Sequence, residues 1–406
     1  MKPYRSGGAS GKPGLAFPSG GCQSGRDMNT ARIAVMMPRF SRYGGAEGFG
    51  WRLAKALAEA GHQVDFICAR AEVEPPPGVH PVVVGRFGPF KWLKVLWYAL
   101  AAERARKKGG YDLSVGLGKT FYQDVFRQGG GPLPVFWRLS RRAWPRGPRR
   151  ALKMLRRRLS PANWVSWWIE RIQARTTPVI VANSERTRQW MVEAHPFLRP
   201  EVMPVIYNRP DLGRFHAADP VERAEIRSAA GIKDAQVVLL TAGTNFMLKG
   251  LRGLLQALAL LPERYVLHVA GGRGAGRWQA YARKLGVADR VRFLGRVEDM
   301  RSFYASGDVF VLPTFYDACS NAVMEALAMG VRTVSSSSNG SCAFLPPENL
   351  LEDPSDPKAM ALRIAAVISA PAPPPFQWPD WAASGMDAWV DLVEKLLRER
   401  EGTEPA

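Results

Sequence analysis

Short apolar segments of strand length alternate with amphipathic segments of helical length through most of this 406-residue chain. One series begins at Arg32-Ile-Ala-Val-Met-Met37, and a second begins at Gln236-Val-Val-Leu-Leu-Thr241. Such alternation is typical of parallel, doubly wound sheets with helices on both faces. The chain is long enough for two such units. The pattern therefore predicts an α/β protein with two doubly wound, Rossmann-like domains that face each other across a ligand-binding cleft.

The same alternation predicts the individual elements. In the first half it predicts strands at 32–37, 63–68, 80–84, 112–116, 178–182 and 202–206, and helices at 46–60 and 91–107. In the second half it predicts strands at 236–241, 265–270, 291–294, 309–312 and 331–335, and helices at 251–261, 278–285, 300–305, 320–329 and 386–398. Residues 1–29 are rich in Gly, Ser and Pro and have no apolar signal-peptide region, so we expect them to be disordered.

The charge balance of the chain is strongly positive. A formal net charge of +20 and a pI near 10.2 imply an anionic partner, which can be nucleic acid, an acidic membrane surface or a phosphorylated substrate. The four cysteines have no C-x-x-C spacing, so we expect reduced thiols in the cytosol rather than a zinc or redox site. No apolar run reaches the roughly 18–20 residues of a membrane-spanning helix.

The segment that follows the apolar run 309–312 has the layout of an anion site. Asp317 lies in the connecting loop, and Glu325 lies eight positions further, inside the predicted helix 320–329. The first turn of that helix offers backbone N–H groups without intrahelical partners at the positive end of the helix dipole. This arrangement suits the phosphates of a nucleotide-sugar, and the alternative is a plain strand-loop-helix unit in which Glu325 is solvated or paired.

Two further loops connect a predicted strand to a predicted helix. Gly44 and Gly45 precede the helix at 46–60, where paired glycines allow the backbone to approach a ligand closely, although a simple tight turn would also explain them. Lys249 precedes the helix at 251–261, where its ammonium group can stabilise charge that develops on a diphosphate leaving group. A solvated surface lysine is the alternative for that position.

Taken together, these segments resemble the retaining glycosyltransferases of family 4, which have the GT-B fold. Asp317 and Glu325 stand at the positions of the family's Glu-x7-Glu signature. The residues 44–47 resemble its Gly-Gly-x-Glu element, the residues 243–250 resemble its Gly-x5-Lys-Gly element, and 293–300 is similar to the loop that holds the nucleotide base. The resemblance covers about residues 32–398.

The resemblance implies a role for each of these segments. Lys249 and the N–H groups of Ser320, Asn321 and Ala322 would hold the diphosphate, Glu325 would bind the ribose, and Asp317 would bind the donor sugar. The acceptor hydroxyl would attack from the face that the nucleotide leaves, and the departing phosphate would help to take its proton. The remaining residues that the resemblance places in the site are Gly44, Gly45, Glu47, Gly243, Asn245, Gly295, Arg296 and Val297.

The chain departs from the family pattern at three positions. Asp317 is a shorter acid than the usual Glu, and Leu248 stands where many members carry an Arg, so a second phosphate-binding cation must come from elsewhere or be absent. Many lipopolysaccharide-type members have a histidine directly after the glycines that correspond to 129–131, whereas here Pro132 follows. We predict that Asp124 replaces this histidine.

The resemblance also implies a domain organisation. Residues 30–212 would form the acceptor-binding domain and 213–379 the nucleotide-sugar-binding domain, with a hinge near 208–216 and a helix at 380–400 that crosses back to the first domain. Metal-dependent sugar transferases of the other large fold use an Asp-x-Asp motif, which this chain lacks. We therefore expect neither a metal ion nor another cofactor.

A segment dense in cations, 138–158, lies in the half that would bind the acceptor. Arginines flanked by tryptophans suit an anionic bilayer surface, because indoles settle at headgroup depth. A solvated arginine-rich helix is the alternative, and nucleic-acid binding would explain the charge but not the sugar-site elements. The residues predicted to contact the membrane or the acceptor are Arg141, Arg142, Arg149, Arg150, Arg156, Arg157, Trp144 and Trp164.

The sequence therefore predicts a retaining, metal-independent glycosyltransferase. Its expected donor is a nucleotide-sugar, preferably a UDP-sugar, and its expected acceptor is a membrane-linked glycolipid such as lipopolysaccharide core. We expect it to lie peripherally on the inner face of the cytoplasmic membrane, with no nucleic acid as a partner. Two alternatives are a non-catalytic membrane or assembly protein with the GT-B fold, and a basic nucleic-acid-binding protein.

Overall fold

The first half of the chain forms a sheet of six parallel strands in the order β5-β3-β1-β6-β7-β8. A separate pair of short parallel strands, β2 and β4, lies beside it. The strands are β1 (Arg32–Met36), β2 (Arg39–Phe40), β3 (Gln63–Cys68), β4 (Arg70–Ala71), β5 (Val79–Val83), β6 (Leu113–Gly116), β7 (Val125–Gln128) and β8 (Val179–Ala182). The helices of this half are α1 (Gly45–Glu59), α2 (Lys91–Gly109), α3 (Leu133–Ser140), α4 (Pro148–Arg158), α5 (Pro161–Thr176) and α6 (Glu185–Ala194).

The second half forms another sheet of six parallel strands, in the order β11-β10-β9-β12-β13-β14. Its strands are β9 (Val237–Ala242), β10 (Tyr265–Ala270), β11 (Val291–Gly295), β12 (Val309–Leu312), β13 (Arg332–Ser336) and β14 (Leu350–Leu351). The helices are α7 (Pro220–Ala229), α8 (Leu251–Leu260), α9 (Gly276–Lys284), α10 (Met300–Ala305), α11 (Asn321–Ala328), α12 (Pro357–Ser369) and α13 (Asp387–Glu401). Each sheet with its helices is a Rossmann-like domain, so the predicted fold class is confirmed.

This computed structural model describes residues 30–42, 44–272, 274–372, 374–382 and 385–401. The segment 1–29, for which the sequence predicts disorder, lies outside the described residues. Among the described residues, no helix combines the length and the apolar composition that crossing a bilayer requires.

The burial of the central strands explains why the sequence pattern predicted them. In β1, the four residues from Ile33 to Met36 are all fully buried, and the same holds for the four residues of β12. Strands of a parallel sheet are covered by helices on both faces, so they appear as continuous apolar runs rather than as an alternation of apolar and polar residues.

Two predictions of strands in the first half require correction. The strand β7 was not predicted, because Arg127 and Gln128 make half of it polar, although both side chains are buried. The strand predicted at 202–206 is absent. Pro200–Val202 forms a 3₁₀ turn, and Val205 makes only an isolated bridge to Ala182. Pro204 has no N–H group to donate to a sheet ladder, which explains why no strand forms there.

The last helix packs on the first domain. Trp389 of α13 is 1% exposed and packs edge-to-face on Phe49 of α1, with ring centroids 5.5 Å apart. Near the end of the helix, Arg400 pairs with Asp124. The helix thus joins the hydrophobic core that β1, β3 and α1 share. The domain limits 30–212 and 213–379 stay predictions.

Candidate active site

The carboxyl edges of the two sheets face each other. Tyr316, in the loop after β12, donates a 2.8 Å hydrogen bond from its hydroxyl to the carbonyl of Gly130, in the loop after β7. Ser184, between β8 and α6, donates from Oγ to the carbonyl of Ala318 at 2.6 Å. Ligands of doubly wound sheets bind at the carboxyl ends of the strands, so the candidate site lies between these loops.

Lys249 and Asp317 form an ion pair at this edge of the second sheet. Their side chains are 21% and 15% exposed, so the pair is partly buried but reachable from the cleft. Gly243 makes room for the lysine, because a β-carbon at position 243 would lie 2.9 Å from Lys249 Cγ. Asn245 accepts at its Oδ1 from the N–H of Leu248 and at its carbonyl from the N–H of Lys249, which fixes the turn. The loop therefore positions an ammonium group and a carboxylate together.

The first turn of α11 offers backbone donors, shifted by one residue from the prediction. The first intrahelical bond runs from the N–H of Met324 to the carbonyl of Ser320. The N–H of Ser320 donates to Asn339 Oδ1 at 3.2 Å and is therefore engaged within the domain. The N–H groups of Asn321, Ala322 and Val323 are the ones left to bind an anion at the positive end of the helix.

Glu325 lies one turn further along α11. The hydroxyl of Tyr304 donates to its Oε2 at 2.9 Å, and Oε1 has no hydrogen-bond partner among the described residues. Burial raises the pKa of Glu325 above its ordinary value, while the Tyr304 hydrogen bond and the cations Arg214 and Arg52 act in the opposite direction. A partly desolvated carboxylate with one oxygen available is suited to accept hydrogen bonds from hydroxyl groups.

The loop at the start of α1 approaches α11 from the first domain. Gly44 has a φ of 98°, which only glycine adopts readily, and Gly45 comes so near to α11 that its β-carbon position would lie 3.6 Å from Asn321 Nδ2. The carboxylate of Glu47 lies 3.7 Å from Arg39 Nη1. Both glycines are therefore at the candidate site, whereas Glu47 is engaged with a cation of its own domain.

The predicted base-binding loop follows β11. Gly295 has a φ of 65°, Val297 packs against the core of the second domain, and the side chain of Arg296 is 73% exposed. Backbone groups of this loop lie at the carboxyl edge of the second sheet, and the loop after β10 separates them from the loop after β9 that carries Lys249. The arrangement leaves the loop accessible to a flat heterocycle.

Asp124 does not lie with the other predicted site residues. It directly precedes β7 and is therefore at the amino edge of the first sheet, opposite to the cleft. Its Oδ2 accepts from the N–H and the hydroxyl of Ser114, and its Oδ1 pairs with Arg400 of α13. The structure does not support the prediction that Asp124 replaces the acceptor-loop histidine, since this side chain ties the last helix to the sheet.

The loop 129–132 is instead supported by residues that sequence reasoning missed. Tyr316 stacks on Trp190, with ring centroids 4.7 Å apart, and reaches Gly130 from the second domain. The carboxylate of Glu170 accepts from the N–H of Leu133 and lies 3.3 Å from His195 Nε2. A histidine therefore lies below this loop although it is distant in sequence, but it is 3% exposed and serves the buried carboxylate.

Arg127 of β7 is another residue that the sequence did not indicate. It is 6% exposed, donates from Nη2 to Asn208 Oδ1 at 2.9 Å and lies over the ring of Phe49. Burial lowers its pKa to about 10, and the neighbouring Arg52 acts in the same direction. The signal that could have found it is an arginine next to two apolar residues in a segment of strand length.

The basic segment of the first domain contains the exposed helix α4. Two leucines on it, Leu152 and Leu155, and Leu159 directly after its last residue are 50–67% exposed. A depression of about 490 Å³ beside the helix is lined by Trp144, Arg149, Lys153, Arg156 and Asn163, among others.

The predicted basic surface needs two corrections. Arg157 donates to Ser140 Oγ at 2.9 Å and lies beside Phe136, so it holds α4 to α3. Arg142 pairs with Asp353 of the second domain at 3.2 Å. Trp164 is 51% exposed and donates from its indole to the carbonyl of Arg158. Of the arginines predicted to contact the membrane or the acceptor, four are exposed, namely Arg141, Arg142, Arg149 and Arg156, whereas Arg150 is half-buried.

Two protein families match the chain. The family described as "Glycosyltransferase Family 4" matches residues 43–214, and the family described as "Glycosyl transferases group 1" matches residues 235–370. The first match covers the loop with Gly44 and Gly45, and the second covers Lys249, Asp317 and Glu325.

Among related sequences, a lipopolysaccharide core biosynthesis glycosyltransferase, LpsE, from Rhizobium meliloti is 34% identical over 41% of this chain and 47% of its own length. The lipopolysaccharide glucosyltransferase WaaG of Escherichia coli is 30% identical over 32% of this chain and 36% of its own length. The chain thus spans about half or less of the length of these relatives.

Solved structures extend the likeness of the fold over nearly the whole chain. WaaG has a TM-score of 0.70 at 20% identity, covering 90% of this chain and 95% of WaaG. HepE of Anabaena in complex with UDP-glucose has a TM-score of 0.63 at 16% identity, covering 92% of this chain and all of HepE. These likenesses show the GT-B fold, and the two family matches, which lie on both sides of the cleft, show that the chain belongs to the family 4 glycosyltransferases.

Proposed function

We propose that the protein is a retaining, metal-independent glycosyltransferase that transfers a sugar from a UDP-sugar to a lipid-linked saccharide such as lipopolysaccharide core. The observation that carries this proposal is the meeting of Lys249, Asp317 and the first turn of α11 opposite Gly45 of the other domain. A cation, a carboxylate and backbone N–H groups converge there. A nucleotide-sugar requires all three, because it carries a diphosphate and a sugar.

In this proposal the second domain holds the donor. The N–H groups of Asn321, Ala322 and Val323 and the ammonium of Lys249 bind the diphosphate. Glu325 accepts from the ribose hydroxyls, and its partial burial strengthens those bonds. Asp317 accepts from hydroxyls of the donor sugar, while Lys249 is shared between this carboxylate and the phosphate.

The reaction needs no separate protein nucleophile. The acceptor oxygen forms a bond to the anomeric carbon on the face from which the diphosphate leaves, while the bond from that carbon to the phosphate oxygen breaks. The acceptor proton moves to the departing phosphate oxygen, so atoms and charge balance. Lys249 and the first turn of α11 stabilise the negative charge that grows on the leaving group.

The donor and acceptor classes rest on relatives. HepE of Anabaena was solved with UDP-glucose. LpsE is described as a lipopolysaccharide core biosynthesis glycosyltransferase, and WaaG is described as a lipopolysaccharide glucosyltransferase. The positive charge of this chain agrees with an anionic acceptor.

A screen of nucleotides tests this function. Thermal unfolding is followed with UDP, GDP, ADP and CMP and with UDP-glucose, UDP-galactose and GDP-mannose. A ligand at 100 times its Kd stabilises the folded state by about 2.7 kcal/mol, which gives a measurable rise in Tm. We expect UDP and one UDP-sugar to raise Tm, and that sugar to be transferred to a lipid acceptor extract. If none of these compounds binds at millimolar concentration, the protein is a non-catalytic member of the fold.

We further propose that α4 holds the enzyme on the inner face of the cytoplasmic membrane. Its exposed leucines and arginines lie in the acceptor-binding domain, so a bilayer there would present a lipid-linked acceptor to the cleft. Near an anionic surface each arginine contributes about 1 kcal/mol of binding.

Replacing Arg149 and Arg156 with glutamine is therefore expected to weaken binding to vesicles with phosphatidylglycerol by roughly 30-fold at low salt. The matched control replaces Arg283 and Lys284 of α9, which are also exposed, and should bind as the wild type does. Cosedimentation measures both, and equal losses in the two variants would show that net charge alone, rather than α4, determines membrane binding.

A further inference from the structure

The guanidinium of Arg127 is buried in the first domain without a matching acid. It is 6% exposed, its Nε has no hydrogen-bond partner, and no carboxylate of the described residues pairs with it. A β-carbon at position 129 would lie 2.0 Å from its Nη1, so Gly129 leaves the space that the guanidinium occupies. Burial of an unpaired charge is costly, so such a residue calls for an explanation.

A chain of three side chains leads from Arg127 into the candidate site. Arg127 Nη2 donates to Asn208 Oδ1 at 2.9 Å, and Asn208 Nδ2 donates to Asn321 Oδ1 at 2.9 Å. Asn321 is the first residue of α11, so the chain passes from the core of the first domain to the turn that faces the donor phosphates. We call these three residues the relay.

The chemistry of arginine fixes the direction of every bond in the relay. A guanidinium can only donate, so the amide oxygen of Asn208 must face Arg127 and its NH2 group must face Asn321. The oxygen of Asn321 accepts the hydrogen bond from Asn208. Its NH2 group is therefore turned to Gly45, whose β-carbon position lies 3.6 Å from Asn321 Nδ2. No described residue accepts a hydrogen bond from this NH2 group. Amide orientations are otherwise ambiguous, and here the donor-only end of the relay settles them.

We propose that Arg127 is a positioning residue that acts through Asn208 to present the NH2 group of Asn321 to the diphosphate of the bound donor. This inference rests on the proposed function. The diphosphate then receives side-chain hydrogen bonds from both Asn321 and Lys249. Asn321 belongs to the same turn of α11 that supplies the backbone N–H groups. Without Arg127, the Asn208 and Asn321 amides can both rotate, and the oxygen of Asn321 can face the phosphate and repel it.

The relay also links the two domains. Arg127 belongs to the first domain and Asn321 to the second, with Asn208 in the connecting segment. The amide of Asn321 is therefore oriented only when the domains are in contact. The donor site on the second domain is completed by a residue that lies in the core of the first.

The test is a double-mutant cycle with UDP as the probe, measured by calorimetry on the full chain. Arg127→Met is expected to weaken UDP binding roughly tenfold, as is Asn321→Ala, because each removes the oriented donor. The double variant is expected to bind as weakly as Asn321→Ala alone. Arg127→Lys, which keeps a donor, should bind UDP within threefold of the wild type.

The outcomes separate this inference from the function on which it rests. If Arg127→Met weakens UDP binding by the same factor in the wild type and in the Asn321→Ala variant, the arginine acts through its charge or through folding. That result would overturn the relay. Unchanged UDP binding by Arg127→Met, or a loss in Arg127→Lys as large as in Arg127→Met, would overturn it too. If the wild type binds none of UDP, GDP and ADP, the proposed function itself fails. Thermal unfolding of each variant verifies that it is folded.

Discussion

Replacing Lys249 with alanine is expected to lower kcat for sugar transfer by about 10²–10³-fold. In the proposed mechanism this ammonium group lies next to the departing diphosphate, and its position is fixed because Asn245 holds the turn and Gly243 makes room for the side chain. Since hydrogen bonds within the loop hold this turn, the ammonium group needs little reorganisation when charge develops on the leaving phosphate. An interaction that grows stronger in the transition state raises kcat rather than only lowering KM.

The removal of Lys249 also leaves Asp317 without its partner at 15% exposure. Steady-state kinetics should therefore be accompanied by thermal unfolding, so that a loss of fold is not taken for a loss of catalysis. Lys284→Ala, an exposed lysine of the same domain, is the matched control and should have unchanged kcat. A Lys249→Ala enzyme that is folded and keeps kcat within threefold would remove this residue from the proposed mechanism.

The sequence predicted most of the fold because its central strands are covered on both faces. Ile33 to Met36 and Val309 to Leu312 are buried, continuous apolar runs. The strand β7 was not predicted because two of its residues, Arg127 and Gln128, are polar although they are buried. Their burial depends on partners in other parts of the chain. A pattern of apolar residues cannot indicate a strand whose polar side chains are satisfied by tertiary contacts.

The failure to predict β7 also explains why the prediction for Asp124 was wrong. A sheet without that strand puts Asp124 in the loop that leads to the acceptor, whereas Asp124 precedes β7 and so lies at the opposite edge of the sheet. By contrast, Lys249 and Asp317 each follow a strand that the pattern predicted, and the structure brings them together as an ion pair.

The relay could not be predicted from the sequence at all. Its two hydrogen bonds join residues that are 81 and 113 positions apart, and both depend on how the two domains meet. Likewise, the engagement of the Ser320 N–H by Asn339 follows from the neighbouring loop after β13 rather than from the helix signal itself. Local motifs predicted which segments meet at the candidate site, and tertiary contacts determine which of their hydrogen-bond donors remain available.

Replacing Glu325 with glutamine is expected to change stability and donor binding in opposite directions. Burial raises the pKa of Glu325 above its ordinary 4.5, so the charged form is less favourable in the folded protein than in the unfolded chain. Its contribution to stability is complete below about pH 4.5 and is lost as the pH rises through the raised pKa. Glutamine keeps an oxygen acceptor for the Tyr304 hydroxyl without a charge. The variant should therefore have a higher Tm than the wild type at pH 7, and the difference should vanish near pH 4.

The same replacement should weaken UDP binding by about 10- to 150-fold at pH 7, since a hydrogen bond to a charged group is worth about 1.5–3 kcal/mol. The amide has one oxygen, which Tyr304 already engages, and its NH2 group cannot accept from a ribose hydroxyl. Glu348→Gln, at an exposed position of the same domain, controls for the loss of one negative charge and should alter neither quantity. Calorimetry with UDP and thermal unfolding at pH 4 and pH 7 measure both effects. A Glu325→Gln protein that loses stability at pH 7 while it binds UDP normally would show that the carboxylate is a structural ion rather than the acceptor for the ribose.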